Sequence, residues 1–173
     1  MILEGEIQVT SFEAKRWLKQ AVTYHQNQFM AFLLNRGVQP DATMMTRAAS
    51  RQNFTAIRQL LRLQVSVNFC DSETGMGPLH YLCKSYGCPR EVFVQVVDLT
   101  KDINRLDRQM RTPIILAADS RHGWMIDILL EKDPKLLYHQ RRNNRAVLNY
   151  CVDRKSTRLN SSHSSVSRMP SSA

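Results

Sequence analysis

The stretch Gly77-Pro78-Leu79-His80 decides the fold, because it returns 35 residues later as Thr112-Pro113-Ile114-Ile115. The same register extends 34 residues back from Gly77 to Thr43, and 34 residues forward from Thr112 to Ala146. A shorter step of 27 residues then leads from Thr43 back to Arg16. A motif that recurs at a period of this size is typical of stacked structural units, each of which contacts only its neighbours.

Each copy of the motif predicts two helices. Pro78 and Pro113 suit the first turn of a helix, where the missing N–H would have no partner in any case. Small residues on this first helix, namely Ala21, Ala48 and Ala117, allow its partner helix to pack closely. Apolar residues at positions i, i+3 and i+4 then indicate an amphipathic second helix. These stripes are Met30/Leu33/Leu34, Ile57/Leu60/Leu61, Phe93/Val96/Val97 and Ile126/Leu129/Leu130.

The connections between copies carry turn signals. Gly37 fits a helix C-terminus, where the chain needs a left-handed residue. Gly75 and Asn144 occupy equivalent positions in the hairpins that lead into the third and fifth copies, and both residue types tolerate positive φ. The shorter first step predicts a clipped hairpin around residues 39–42.

Pro78-Leu79-His80 and Thr112-Pro113 are the clearest survivors of a Thr-Pro-Leu-His-x-Ala pattern. On these residues and the shared register, the chain resembles the ankyrin-repeat family from about Phe12 to Val152. The resemblance implies an all-α solenoid of stacked helix-turn-helix units joined by short hairpins, with about four copies and a broken fifth. Repeat arrays of this kind mostly hold partners and do no chemistry.

The chain divides into three parts on this interpretation. Residues 1–11 form an N-terminal lead, residues 12–152 form the repeat array, and residues 153–173 form a Ser-rich basic tail. The tail has no apolar periodicity and resembles translated linker or adapter sequence. In that case the chain is a fragment, and the native protein continues beyond Val152. The alternative is a genuine disordered Ser-rich tail.

The formal net charge of +9 is spread unevenly. Four positive charges and no acidic residue lie in residues 154–173, so residues 1–153 carry +5. This excess permits an acidic partner without requiring nucleic acid. No apolar run approaches the roughly 18 residues of a membrane span, and the acidic N-terminus does not resemble a signal peptide. The four cysteines are interpreted as reduced thiols, which predicts a cytoplasmic or a nuclear protein.

No residue pattern indicates catalysis. His80, Cys83 and Cys88 lack the second close pair and the fourth nearby ligand of a metal site. Cys83 and Cys151 are expected to behave as small apolar residues. The chain also has no Gly-rich phosphate loop. We therefore predict that the protein is not an enzyme and uses no cofactor or metal.

The family resemblance implies that partners meet the hairpin tips and the concave face of the first helices. Tyr and Arg are the residue types most enriched at binding hot spots. The candidates on the concave face are Tyr24, Arg51, Lys84, Tyr86, Asp119 and Arg121. The candidates at the hairpin tips are Asp71, Glu73, Met76, Arg108, Met110 and Arg111.

A second candidate surface is a set of arginines in two successive hairpins. A charge that repeats at the repeat period builds a continuous stripe, which attracts an acidic protein segment. We call this set the Arg ridge, and it consists of Arg105, Arg108 and Arg111 followed 36 residues on by Arg141, Arg142 and Arg145. The alternative is an ordinary solvated surface.

These observations predict a non-catalytic protein–protein interaction module, expected to be a monomer, whose partner is another protein with an acidic segment. One alternative is that the chain is the N-terminal targeting array of a longer, truncated enzyme or effector. The other is that the Arg ridge binds nucleic acid or acidic lipid, which the modest charge of residues 1–153 does not favour.

Overall fold

The computed structural model describes residues 11–133 together with Asn149 and Val152. Within residues 11–133 it contains eight α-helices and no strand, which confirms the all-α prediction. The helices are α1 (Ser11–Thr23), α2 (Asn27–Asn35), α3 (Ala42–Ser50), α4 (Phe54–Arg62), α5 (Pro78–Lys84), α6 (Arg90–Leu99), α7 (Pro113–Asp119) and α8 (Gly123–Lys132). They follow one another in four pairs.

The chain separates into two compact units, residues 1–113 and residues 114–173. In the first unit, α3 packs against α1, α4 and α5, so the first helices of three pairs form one layer. The second helices α2, α4 and α6 form the other layer, with α4 in contact with both of its neighbours. Among the described helices, none is both long enough and apolar enough to cross a membrane.

The buried positions of the first helices confirm the predicted register. Three equivalent apolar positions of the first helix are buried in all four pairs. These residues are Leu18/Ala21/Val22, Met45/Ala48/Ala49, Leu79/Leu82/Cys83 and Ile114/Ala117/Ala118. Equivalent positions of the repeat are therefore buried in both units.

Helix starts follow local chemistry. Helices α5 and α7 begin at Pro78 and Pro113, as predicted. Helix α4 is capped by Asn53, whose side-chain oxygen accepts the main-chain N–H three residues on at 3.1 Å. Helix α3 begins earlier in the register than α5, since Asp41 caps it and accepts the N–H of Thr43 at 2.9 Å. Thr43, the counterpart of the α5 cap in the register, therefore lies inside its helix.

The turns inside the four pairs share one backbone conformation. Each pair has a residue of positive φ after its first helix, and these are His25, Gln52, Gly87 and Arg121. Only the third copy uses glycine there, so sequence alone marks one of the four turns. In the fourth pair the turn ends at His122, which is the N-cap of α8.

The connections between pairs differ in length. Only residues 36–41 join α2 to α3, whereas residues 63–77 join α4 to α5 and residues 100–112 join α6 to α7. The prediction of a clipped first hairpin is therefore confirmed. Gly37 and Gly75 adopt φ of +85° and +72°, as predicted, and Asn144 lies outside the described residues.

Side chains reach main-chain groups of the neighbouring copy. Three of these hydrogen bonds come from buried donors and end on carbonyl oxygens 23 to 31 residues away. They run from Thr46 Oγ1 to the Phe69 carbonyl (2.7 Å), from Asn53 Nδ2 to the Val22 carbonyl (3.1 Å) and from His80 Nε2 to the Arg105 carbonyl (3.0 Å). Such bonds satisfy buried polar groups and fix each copy on the next.

Candidate partner-binding surface

A groove lies in the first unit between the first helices and the hairpin of residues 69–76, and we call it the first-helix groove. Helices α1, α3 and α5 supply one side, the hairpin supplies the other, and the enclosed volume is about 590 Å³. The charged and aromatic side chains that line it are Lys19, Arg47, Arg51, Phe69, Asp71, Glu73 and Tyr81. Its composition is therefore mixed, with both signs of charge and two aromatic rings.

Asp71 organises the hairpin on one side of the groove. Its carboxylate accepts hydrogen bonds from the Thr74 hydroxyl (2.8 Å), the Glu73 main-chain N–H (3.3 Å) and the Tyr81 hydroxyl (3.2 Å). These bonds, led by the one from Thr74, hold the pKa of Asp71 below its ordinary value. Asp71 is therefore a fixed negative charge at neutral pH.

Three cations line the helical side of the groove. Lys19 comes from α1, Arg47 from α3, and Arg51 is the residue that follows α3. Within the described residues, none of the three forms an ion pair, and the Nε of Arg47 is buried without a hydrogen-bond partner. A buried N–H donor of this kind is unusual in a folded protein, which marks Arg47 as a group that lacks its acceptor.

Phe69 connects the two charged sides of the groove. Its carbonyl oxygen accepts the Thr46 hydroxyl of α3, and two residues later the chain reaches Asp71. The Phe69 side chain is 40% exposed, which is high for a large apolar residue beside the core. It offers an apolar contact at the border between the cations and the carboxylates.

The six predicted concave-face residues lie at the ends of the first helices or in the turns that follow. Lys84 and Asp119 are the last residues of α5 and α7. The other four lie one or two residues beyond a helix end, because each first helix stops before reaching them, and they are Tyr24, Arg51, Tyr86 and Arg121. Of the six, only Arg51 lines the first-helix groove.

The two tyrosines of that set are prominent on the surface. Tyr24 is 71% exposed and Tyr86 is 73% exposed, each in the turn after its helix. Asp119 and Arg121 are exposed and belong to the second unit. Whether any of these residues touches a partner stays a prediction.

The hairpin of the Arg ridge shows that its arginines are not equivalent. The side chain of Arg111 pairs with the fully buried carboxylate of Asp107 through Nε (3.0 Å) and Nη2 (2.9 Å). Asp107 also accepts the main-chain N–H groups of Gln109 (2.9 Å) and Arg111 (2.8 Å). The charge of Arg111 is thus paired inside its own hairpin, and its part in binding a partner stays a prediction.

The remaining ridge residues divide into two groups. Arg105 and Arg108 are exposed. The second hairpin of the ridge lies outside the described residues, and its arginines are Arg141, Arg142 and Arg145.

The two methionines among the predicted tip residues differ in exposure. Met76 is buried, because the hairpin folds it towards the core, and this corrects its prediction as a tip contact. Met110 is 63% exposed and has φ of +59°, a conformation that is uncommon for residues other than glycine.

A second groove, between α4 and α6, offers a contrast. It has a similar volume of about 570 Å³ and is lined by Leu61, Gln95 and Leu99 together with an ion pair between Arg58 and Glu91. We call it the second-helix groove. Arg58 and Glu91 satisfy each other across the two helices, and the groove is also lined by Arg62 and Asp98. The first-helix groove differs because no ion pair joins its cations to its carboxylates within the described residues.

His80, Cys83 and Cys88, the side chains considered as metal ligands, have other roles in the structure. His80 Nδ1 accepts the Gly77 N–H at 3.2 Å and Nε2 donates to the Arg105 carbonyl, so both ring nitrogens are occupied. Burial raises the pKa of the Cys83 thiol and, at Cys88, raises it to about 12. In the part of the chain that the structure describes, no three potential ligands gather in a metal-binding cluster.

Of the seven charged and aromatic residues that line the first-helix groove, sequence reasoning missed four: Lys19, Arg47, Phe69 and Tyr81. A signal for two of them was present in the register. Arg47 and Tyr81 directly follow Thr46 and His80, the position of each copy whose side chain reaches the next hairpin. Because that residue points to the hairpin, its successor on the helix was a natural candidate for the groove.

Comparison with known proteins gives one positive result. A family model described as "Ankyrin repeats (3 copies)" matches residues 45–141, which is more than half of the chain. A search of curated proteins finds no match. The matched segment begins within α3, so the helix pair of α1 and α2 precedes it. With four helix pairs in one register and this match, the chain belongs to the ankyrin-repeat family, whose repeats are generally protein–protein interaction modules.

Proposed function

We propose that this chain is a non-catalytic interaction module that binds a segment of a partner protein in the first-helix groove. The single observation that carries the proposal is the set of three cations, Lys19, Arg47 and Arg51, which face the groove without an ion-pair partner in the described residues. The exposed rim of Phe69 adds apolar contact area in the same place. Buried aromatic and arginine contacts are the ones that contribute most to protein binding.

The Arg ridge has a smaller part in this proposal. Arg105 and Arg108 remain exposed cations, and charges at the rim of an interface mainly raise the association rate. Tyr24 and Tyr86 are further candidate contacts, outside the groove. The groove would then hold the partner segment, and the Arg ridge would attract that segment as it approaches.

Site-specific photo-crosslinking tests the proposal. We would place a benzophenone amino acid at Ser72, which lines the first-helix groove, and a matched one at Gln95 in the second-helix groove. We expect a discrete protein adduct from Ser72 that Phe69→Ala weakens, and none from Gln95. Adducts from Gln95 alone, or adducts from Ser72 that Phe69→Ala leaves unchanged, would contradict the assignment of the groove.

We also propose that the protein works as a monomer in the cytoplasm or the nucleus. Cys83 and Cys88 are buried thiols and Cys70 is half-buried, and none of these described cysteines is in a disulfide. Reduced thiols are typical of these compartments. The boundaries of the array at residues 12 and 152, and the role of the chain as a targeting array for a longer enzyme or effector, remain proposals that the downstream reading frame would test.

A further inference from the structure

The charges of the first-helix groove are sorted by side. Lys19 and Arg47 lie on α1 and α3, Arg51 directly follows α3, and the hairpin across the groove supplies Asp71 and Glu73. No ion pair joins these two sets within the described residues. Opposite charges that face one groove without pairing leave both sets available to a ligand.

Arg47 shows what the helical side lacks. Its Nε is buried and has no acceptor, although a guanidinium has five N–H donors and binds carboxylates through two of them at once. Because the Nε is closed to solvent, a carboxylate supplied by a ligand would bind the terminal N–H groups of the guanidinium, where Arg47 lines the groove. Arg51, four residues on and directly after the end of α3, lines the same groove and would extend the same acidic contact.

The hairpin side requires a ligand of the opposite sign. Asp71 is held in place by the Thr74 and Tyr81 hydroxyls, and the lowered pKa keeps it ionised at neutral pH. Glu73 is exposed beside it, and only its main-chain N–H is engaged with Asp71. Fixed carboxylates repel a uniformly anionic chain such as a nucleic acid, so a phosphate backbone does not suit this groove.

We infer that the first-helix groove binds a short protein segment of alternating character. An Asp or Glu of the segment meets Arg47 and Arg51, an apolar residue rests on Phe69, and a Lys or Arg meets Asp71 and Glu73. This inference rests on the proposed function of the groove and adds the chemistry of the partner. Because acid and base must occur in a fixed order, the groove reads the direction of the segment as well as its charge.

The test uses the full chain as bait against a display library of random 12-residue peptides. We expect enriched peptides with acidic residues in one half and basic residues in the other. One such peptide, made synthetically, should bind Arg47→Glu and Glu73→Lys at least tenfold more weakly than the unaltered protein. A peptide with Lys in place of its acidic residues should recover binding to Arg47→Glu.

The controls separate this inference from the proposed function. Arg62→Glu, an exposed change on α4, should alter affinity by less than twofold. Peptides that respond to Phe69→Ala but not to the two charge reversals would overturn the inference and leave the groove as a binding site. No enriched peptide, or peptides indifferent to all three changes, would overturn both. A 20-nucleotide single-stranded DNA whose binding Arg47→Glu abolishes would identify a phosphate site instead.

Discussion

Two hairpins of the first unit, residues 69–76 and 105–112, carry an aspartate at the third position and are stabilised in different ways. In the hairpin of residues 69–76, Asp71 takes neutral donors: the hydroxyls of Thr74 and Tyr81 and one main-chain N–H. In the hairpin of residues 105–112, Asp107 takes two main-chain N–H groups and the guanidinium of Arg111. The hairpin of residues 69–76 therefore keeps the negative charge of Asp71. In the hairpin of residues 105–112, Arg111 cancels the charge of Asp107.

The turns differ as well. The first hairpin closes with the Asp71 N–H on the Met76 carbonyl (2.9 Å), and the second closes one residue sooner, with the Asp107 N–H on the Arg111 carbonyl (2.9 Å). The hairpins contact each other through the Arg108 N–H and the Thr74 carbonyl (3.0 Å). An arginine that recurs at the repeat period can therefore either face solvent, as Arg108 does, or complete a turn, as Arg111 does.

The largest difference should appear when each aspartate is removed. Asp107→Ala leaves a half-buried guanidinium and two main-chain N–H groups without their acceptor, so we expect a loss of about 2–4 kcal/mol in the free energy of unfolding. Asp71→Ala should cost about 1 kcal/mol, since hydroxyl donors can turn to water. Urea unfolding of both full-length variants checks this, and equal losses would contradict the comparison.

The left-handed turn residues should give the next effect. Gly75→Ala puts a Cβ 3.0 Å from the Arg108 main-chain nitrogen at φ of +72°, and we expect a loss of about 1–2 kcal/mol. Met110→Gly is the reciprocal change. It removes the strain of a positive φ in the folded state but raises the conformational entropy of the unfolded chain. We expect it to shift stability by less than about 0.5 kcal/mol. Thermal unfolding would rank the two variants. A larger change in stability for Met110→Gly than for Gly75→Ala would contradict this prediction.

His80 links the hairpins and should make their stability depend on pH. Its Nδ1 accepts the Gly77 N–H and its Nε2 donates to the Arg105 carbonyl, so the folded protein needs the neutral ring. Burial lowers the pKa of His80 below its ordinary value of 6.5, and the unfolded chain then binds the proton first as pH falls. Stability should therefore decrease below about pH 6.5, by at most about 1.4 kcal/mol per pH unit for one proton.

Urea midpoints between pH 7.5 and 5 measure this dependence. His80→Gln is the matched variant, because its amide can still donate to the Arg105 carbonyl but does not titrate. The lowered pKa of Asp71 keeps that group ionised across the range. If the wild type and His80→Gln lost the same stability, another group would be responsible.

The smallest effects should separate two arginines of the ridge. Arg111→Lys keeps the charge but gives up the two-pronged contact with Asp107, and we expect a loss of about 0.5–1 kcal/mol. Arg108→Ala should change stability by less than about 0.5 kcal/mol, since only its main-chain N–H is engaged with Thr74. Equal losses would mean that the Arg108 side chain also belongs to the hairpin.

Features with a local cause could be predicted from the sequence. Pro78 and Pro113 are the first residues of their helices, and Gly37 and Gly75 have positive φ. The apolar stripes mark the buried faces of the second helices. The register followed from these signals together, even though single copies match the family pattern poorly. The prediction of four helix pairs needed no long-range information.

The candidate site could be predicted only in part, because it depends on distances across copies. Arg51 was predicted from the family pattern. Arg47 was not, because only the structure shows that α3 lines one groove with the hairpin of residues 69–76. The pairing of Arg111 with Asp107 depends on the turn geometry, since residues four apart meet on a helix but not in every hairpin. Tyr86 and Arg121 were placed on helices that in fact end two residues earlier.

The hydrogen bonds that link neighbouring copies have an evolutionary consequence. Thr46, Asn53 and His80 each use a different donor, yet all three end on a main-chain carbonyl. A carbonyl is present at every position whatever the side chain, so the acceptor survives any substitution next door. At these three contacts a copy can therefore diverge without a compensating change in its neighbour. That independence suits a lineage in which the contact surface must change faster than the scaffold that carries it.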